Sequence, residues 1–194
     1  MVIKSNLLRQ QIFELLRESP TSVGEDLEAL SQCLAHIQNR MLVEGIAREL
    51  GLSLARFLTN DALELYYDIK RGRHEMGYIS KGWEDPGFRI GDLVEIDQWE
   101  ADAFKANANS IMRFCATNGI GATVREAPSI IEIHLDGVLY SEGFNRDTFS
   151  QTLEAVNACV EHIGTHVPES THSRLLTCGA AGWHVVKTKD VWQH

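Results

Sequence analysis

Several sequence features are scarce or missing in this chain of 194 residues, and each absence argues against a class of protein. The four cysteines are scattered and form no Cys-x-x-Cys pair, so the sequence indicates neither a disulfide framework nor a paired-cysteine zinc site. No stretch approaches the roughly 18 apolar residues that a membrane-spanning helix needs. Residues 1–6 have no apolar signal-peptide core, so we expect a cytoplasmic protein.

Basic residues are also few, with 18 Lys and Arg against 27 Asp and Glu and a formal net charge of −9. This balance repels nucleic-acid phosphates, which proteins bind by displacing counterions with Lys and Arg. It suits a basic protein partner instead. With 44% hydrophobic residues the chain can bury a core, and the sequence contains no complete catalytic or cofactor motif. We therefore expect a non-enzymatic protein, without a cofactor, that binds another protein.

Helical periodicity dominates residues 1–70, which we interpret as a helical region. Apolar residues spaced by three and four positions form an amphipathic stripe: Leu27, Leu30, Leu34, Ile37 and Met41. The phase then changes and predicts a bend near residues 39–42, while Gly51 ends this helix and residues 52–69 form a further one. The stripe is compatible with a homodimer, and equally with packing inside the chain's own domain.

The remainder of the chain predicts an α+β architecture. Residues 71–100 are rich in glycine and isolated aromatics, which indicates a loop with one short strand. After it, the periodicity predicts a helix over 101–117, strands over 122–127, 130–135 and 138–144, a helix over 147–164 and a last hairpin. We expect turns at Pro128-Ser129 and at Asp136-Gly137, because Asp-Gly accepts the positive φ of a tight hairpin turn. The fold class is thus an N-terminal helical region followed by a two-layer sandwich of antiparallel sheet and helices over 101–194.

One segment carries a likeness to a known motif. Residues 44–58, with the sequence EGIARELGLSLARFL, resemble the helix-turn-helix of bacterial transcription regulators. In that motif Gly51 would form the turn and Ser53 would begin the recognition helix. The resemblance implies that Ser53, Arg56 and Asn60 face the major groove of DNA. A sequence-specific DNA-binding regulator is therefore an alternative function.

A second alternative is a zinc-dependent or zinc-stabilised protein. Cys159, His162 and His166 are spaced i, i+3 and i+7 within a predicted helix, so they share one helical face. A thiolate and two imidazoles form a ligand set that suits zinc, with a fourth ligand available further along the chain. The spacing makes these three residues the candidate metal ligands.

The leading hypothesis remains an acidic adaptor or chaperone-like protein. The candidate anchors for a protein partner are the aromatics in and near the glycine-rich loop, because exposed aromatic side chains dominate interface energetics: Tyr78, Trp83, Phe88 and Trp99. An equally good interpretation is that these aromatic side chains are core residues between the two halves of the chain. The acidic charge and the α+β pattern are similar to those of small bacterial chaperones such as the type III secretion chaperones, a likeness of charge and architecture that involves no shared residue motif.

Overall fold

The computed structural model of the protein describes residues 23–56, 64–82, 84–167, 171–172, 176–179 and 182–185. The chain divides into two compact units, residues 1–42 and residues 43–194. The helices of the described residues are α1 (Val23–Glu49), α2 (Ala101–Thr117) and α3 (Arg146–His166). The strands are β1 (Ser53–Arg56), β2 (Leu65–Arg71), β3 (His74–Lys81), β4 (Gly87–Asp97), β5 (Gly121–Glu126), β6 (Ile130–Tyr140), β7 (Thr171–His172), β8 (Leu176–Gly179) and β9 (Gly182–Val185).

The second unit is built on an antiparallel sheet, which confirms the predicted α+β class. Among the described strands the order is β1-β2-β3-β4-β6-β5, and β7 pairs with β4 at Val94 and Glu95. Strands β8 and β9 form a separate antiparallel pair, as the last predicted hairpin requires. Strand β4 is central, because it pairs with β6 along its whole length and with β3 on its other side.

Helices α2 and α3 pack on one face of this sheet and form the core with it. The predicted apolar stripe of α3 is confirmed, since all five of its members are buried: Phe149, Leu153, Val156, Val160 and Ile163. They belong to the same buried cluster as Ile131, Ile133 and Leu135 of β6. None of the helices in the described ranges is long and apolar enough to cross a membrane.

The structure corrects the helical prediction for residues 39–69 in two places. Helix α1 runs without interruption through residues 39–42 and ends before Gly51, which has a φ of 67°. The helix predicted over 52–69 is wrong, because this stretch contains β1 and β2. In β2 Leu65, Tyr66, Tyr67 and Ile69 are all buried, and aromatic and β-branched residues favour a pleated strand over a helix.

The central loop and one predicted turn also differ from expectation. Residues 71–100 contain all of β3 and all of β4 rather than a loop with one short strand. The turn at Pro128-Ser129 is confirmed, but β6 passes straight through Asp136-Gly137. Gly137 is needed there for space, since a Cβ atom at this position would lie 2.4 Å from Thr152 Cγ2 of α3.

Candidate functional site

The face of the sheet opposite α2 and α3 carries the most distinctive group of side chains. Along β6 the buried residues alternate with partly or fully exposed ones. Because side chains of a strand point alternately to opposite faces, the second set lies on the face away from the core: Glu132, His134, Asp136, Val138 and Tyr140. We call this the outer face of the sheet.

Tyr78 of β3 crosses the outer face to reach β6. It lies opposite Gly91 of β4, and its hydroxyl donates a hydrogen bond to Asp136 Oδ1 at 2.7 Å. A Cβ atom at position 91 would lie 2.7 Å from that hydroxyl and 2.3 Å from the carbonyl oxygen of Leu135. Because Gly91 has no side chain, the Tyr78 ring can lie across the central strand β4 at this position.

The ring of Tyr66, on β2, contacts the ring of Tyr78. The two rings stack with their centroids 5.4 Å apart and an interplanar angle of 15°. Burial, and then the neighbouring carboxylates, raise the pKa of Tyr66 and of Tyr78 far above the usual range, and Asp136 is the first of those carboxylates for Tyr78. Both phenols therefore stay protonated, and Tyr78 acts as a fixed hydrogen-bond donor.

Exposed side chains adjoin the stacked pair along β6. Val138 is 52% exposed and Tyr140 is 66% exposed, and both follow Asp136 on the outer face. Arg89 of β4 lies opposite Val138, and its guanidinium is 3.6 Å from Asp85 Oδ1. We refer to these six residues together as the tyrosine face: Tyr66, Tyr78, Arg89, Asp136, Val138 and Tyr140. Tyr66 is the buried member of this group, and the other five side chains are partly or fully exposed.

The structure separates the predicted anchor residues. Tyr78 belongs to the tyrosine face, whereas Phe88 is fully buried and stacks on Phe144 with 3.9 Å between the ring centroids. Trp99 is 64% exposed, but it lies just beyond the end of β4 that is remote from Tyr140. Trp83 lies outside the described residues. Of the predicted set, Phe88 is therefore a core residue, and Tyr78 and Trp99 are on different parts of the second unit.

The residues predicted to contact DNA are not on a recognition helix in the described part of the chain. Ser53 and Arg56 lie on β1, which pairs with β2, and the Ser53 hydroxyl donates to the carbonyl oxygen of Lys70 at 3.3 Å. Asn60 lies outside the described residues. Helix α1 does end at the expected glycine, but the segment after it is extended, so the helix-turn-helix geometry is absent over residues 52–56.

The predicted zinc ligands are divided between two environments. Cys159 is buried in the interface of α2 and α3 beside Cys115, and a hydrogen bond between the two thiols, together with burial, raises its pKa. The His162 ring stacks on Phe114 at 4.0 Å and is 4.5 Å from the His166 ring. Within the described ranges, no group of three His, Cys, Asp or Glu residues is arranged to hold a metal ion. The shared helical face therefore does not bring the three side chains to one point.

Most of the tyrosine face was not predicted from the sequence. Tyr66 was placed in a predicted helix, and Asp136 in a predicted turn. The run of aromatic and β-branched residues in β2 was the signal that could have placed Tyr66 on a strand. The contact between Tyr78 and Asp136 joins residues 58 positions apart, so it depends on strand order and register.

Comparison with known proteins gives likeness in fold alone. No family model and no curated protein matches the chain. The chain is similar to the crystal structure of an uncharacterized protein from Methanothermobacter thermautotrophicus, with 10% identity, a TM-score of 0.55, and coverage of 67% of this chain and 96% of that one. It is also similar to YbjN, described as a putative transcription regulator from E. coli, with 13% identity, a TM-score of 0.45, and coverage of 64% of this chain and 89% of that one.

Proposed function

We propose that the protein is a protein-binding module of the adaptor or chaperone-like kind, and that the tyrosine face is its binding surface. The observation that carries this proposal is the exposure of Val138 and Tyr140 beside a rigid pair of stacked tyrosines. Tyr78 is held by stacking on Tyr66 and by its hydrogen bond to Asp136, and a side chain that is already held loses little conformational entropy when it binds. The tyrosine face is therefore suited to contact a partner surface without rearranging.

Charge supports a partner that presents basic groups. Asp136 lies at the centre of the tyrosine face, and Asp68 lies opposite Tyr78 on β2. The chain as a whole carries a net charge of −9. A Lys or Arg side chain of the partner would contact both a carboxylate and an aromatic ring at this surface, and each of these contacts is favourable for a cation.

The proposal is tested by capture of partners from the source lysate with the purified chain as bait. We expect a stoichiometric protein partner that is identified by mass spectrometry and retained at high salt. A variant with both Val138→Ser and Tyr140→Ser should weaken its binding by more than about tenfold, because interface anchors each contribute roughly 2 kcal/mol or more. The affinity is then measured by titration with the purified partner.

Val124→Ser is the matched control, since Val124 is an exposed valine of the same sheet that lies opposite Ile133 on the core side. It should bind as the unchanged protein does. Equal binding by the double variant would contradict the role of the tyrosine face. Loss of binding with Trp99→Ala alone would move the interface to the far end of β4. Capture of nucleic acid that is lost at high salt, with no protein, would favour the DNA-binding alternative.

A further inference from the structure

The first unit has an exposed apolar stripe of its own along α1. Leu34, Ile37 and Met41 are 37%, 49% and 58% exposed. Residues on the opposite side of the helix are half-buried: Gln32, Ala35, His36 and Asn39. Leu34, Ile37 and Met41 therefore form an exposed apolar strip along one side of the helix, and Leu30, in line with them, is half-buried.

The spacing of this stripe is that of a coiled-coil seam. Apolar residues recur at alternating intervals of four and three, and this continues over almost three heptads: Val23, Leu27, Leu30, Leu34, Ile37 and Met41. They occupy the d, a, d, a, d and a positions of a heptad repeat. A seam of this kind is buried by a second helix that lies alongside at a shallow angle. A surface helix packed on a globular core has a broader apolar face instead.

We propose that a second copy of this chain covers the stripe, with the two α1 helices antiparallel. In an antiparallel pair an a residue of one helix meets a d residue of the other. Each apolar residue of the stripe has an apolar counterpart when the two-fold axis passes near residue 32. Position 30 then faces position 34 of the second copy, position 27 faces 37, and position 23 faces 41, so each pair forms one apolar layer of the seam. The same stripe is therefore complementary to itself, which is the requirement for a two-fold interface.

The charges beside the seam agree with this orientation. The g positions are Asp26, Cys33 and Arg40. In an antiparallel pair g faces g, so each Asp26 meets an Arg40 of the second copy, and the two Cys33 residues meet at the two-fold axis. In a parallel pair g faces e, where Asp26 would meet Ser31 and Arg40 would meet Gly45. The antiparallel register therefore places opposite charges at facing g positions on both sides of the two-fold axis, which the parallel register does not.

The first test is the oligomeric state of the full chain by sedimentation velocity over a range of concentrations. We expect a dimer that dissociates on dilution, because a seam of three heptads is short. Leu34→Glu places a carboxylate in two central layers and should raise the dissociation constant by more than about tenfold, since each buried leucine contributes roughly 1.5–3 kcal/mol. Met41→Glu is the second variant, and its more exposed position keeps the test valid if Leu34→Glu does not fold. Asn109→Glu, which adds the same charge at an exposed position of α2, should leave the dimer unchanged.

A charge exchange tests the orientation. Asp26→Arg alone, or Arg40→Asp alone, creates like-charge contacts in the antiparallel pair and should raise the dissociation constant roughly two- to tenfold, as expected for exposed ion pairs. The double variant with both changes restores opposite charges and should recover the original affinity. Neither single change has this reciprocal effect in the parallel register.

Cross-linking of Cys33 gives an independent readout, because its thiol is exposed. A bis-maleimide with a two-carbon spacer should join two copies as each thiol adds across one maleimide double bond, and Cys33→Ser should abolish the product. A protein that stays monomeric at all concentrations would overturn the proposal. That result is expected if another part of the same chain covers the stripe. A dimer that is insensitive to both Leu34→Glu and Met41→Glu, or one that the double charge exchange does not restore, would overturn it too. These variants lie outside the tyrosine face, so the result is separate from the proposed partner binding.

Discussion

At the scale of single residues, Gly91 determines whether the tyrosine face can form. Its position in the centre of β4 allows the Tyr78 ring to pass over the strand and reach Asp136. The requirement is steric, because Gly91 is not among the described residues with positive φ. Any side chain here would meet the backbone oxygen of Leu135 as well as the tyrosine.

We predict that Gly91→Ala lowers the free energy of unfolding by about 1–3 kcal/mol, as overpacking of a filled site does. The added Cβ must displace either Tyr78 or the strand carrying Leu135, so the hydrogen bond to Asp136 should be lost with it. Urea denaturation measures the change. Gly164→Ala is the control: a Cβ there meets nothing within 4 Å, and alanine should stabilise α3 by roughly 0.5–1 kcal/mol. Equal stability of Gly91→Ala and the unchanged protein would contradict the steric role of Gly91.

At the scale of elements, α3 shows how a local signal fixes a helix. Asn145 accepts hydrogen bonds from the backbone N–H groups of Asp147 and Thr148 at 2.9 and 3.1 Å. The Thr148 hydroxyl accepts in return from the backbone N–H of Asn145 at 3.1 Å. This capping box satisfies the otherwise unpaired groups of the first turn.

We predict that Asn145→Ala lowers the free energy of unfolding by about 1 kcal/mol, because the capping oxygen is removed while the helix residues are unchanged. Asn109→Ala, at an exposed position inside α2, should instead be neutral or slightly stabilising, since alanine is the better helix former. The two variants are compared by thermal and urea unfolding. A larger loss for Asn109→Ala would show that the effect of Asn145 does not come from its capping role.

Elements with one buried side could be predicted from the sequence, and those shaped by partners distant in the chain could not. The stripe of α3 follows from a periodicity of 3.6, and the last hairpin follows from its bracketing glycines. Strand β2 was mistaken for a helix because Leu65, Tyr66, Tyr67 and Ile69 are apolar on both faces of the strand, so period-2 alternation is hidden. Asp136-Gly137 was mistaken for a turn because its glycine makes room for α3, a contact that only the folded chain reveals.

The same distinction applies to the candidate site. Tyr78 was predicted as a binding residue, because an aromatic in a glycine-rich segment is a recognisable local feature. Its partner Asp136 could not be predicted, because β3 and β6 are brought close by β4, which lies between them in the sheet. The zinc prediction placed Cys159, His162 and His166 on one helix, as the structure does. It could not anticipate that Cys159 contacts Cys115 of α2 while His162 stacks on Phe114 of the same helix.

At the scale of the whole molecule, pH should change stability through the histidine contacts at the end of α3. Burial, and secondarily the neighbouring His166, lower the pKa of His162. Its Nε2 atom is buried and accepts or donates no hydrogen bond in the described structure. The folded state therefore favours the neutral ring, while the unfolded chain titrates it near the ordinary value of about 6.5.

The sign of the effect follows from proton binding. Near and below about pH 6.5 the unfolded chain binds more protons at His162 than the folded chain does, so the stability associated with the neutral ring is present above that pH and is lost as the pH falls through the lower folded-state pKa. We predict that His162→Gln reduces the loss of unfolding free energy between pH 7 and pH 5, measured by urea denaturation. Gln151→Ala, at an exposed position of α3, removes no titratable group; it is the control and should follow the unchanged protein. Identical pH profiles for His162→Gln and the unchanged protein would show that carboxylates alone determine the acid response.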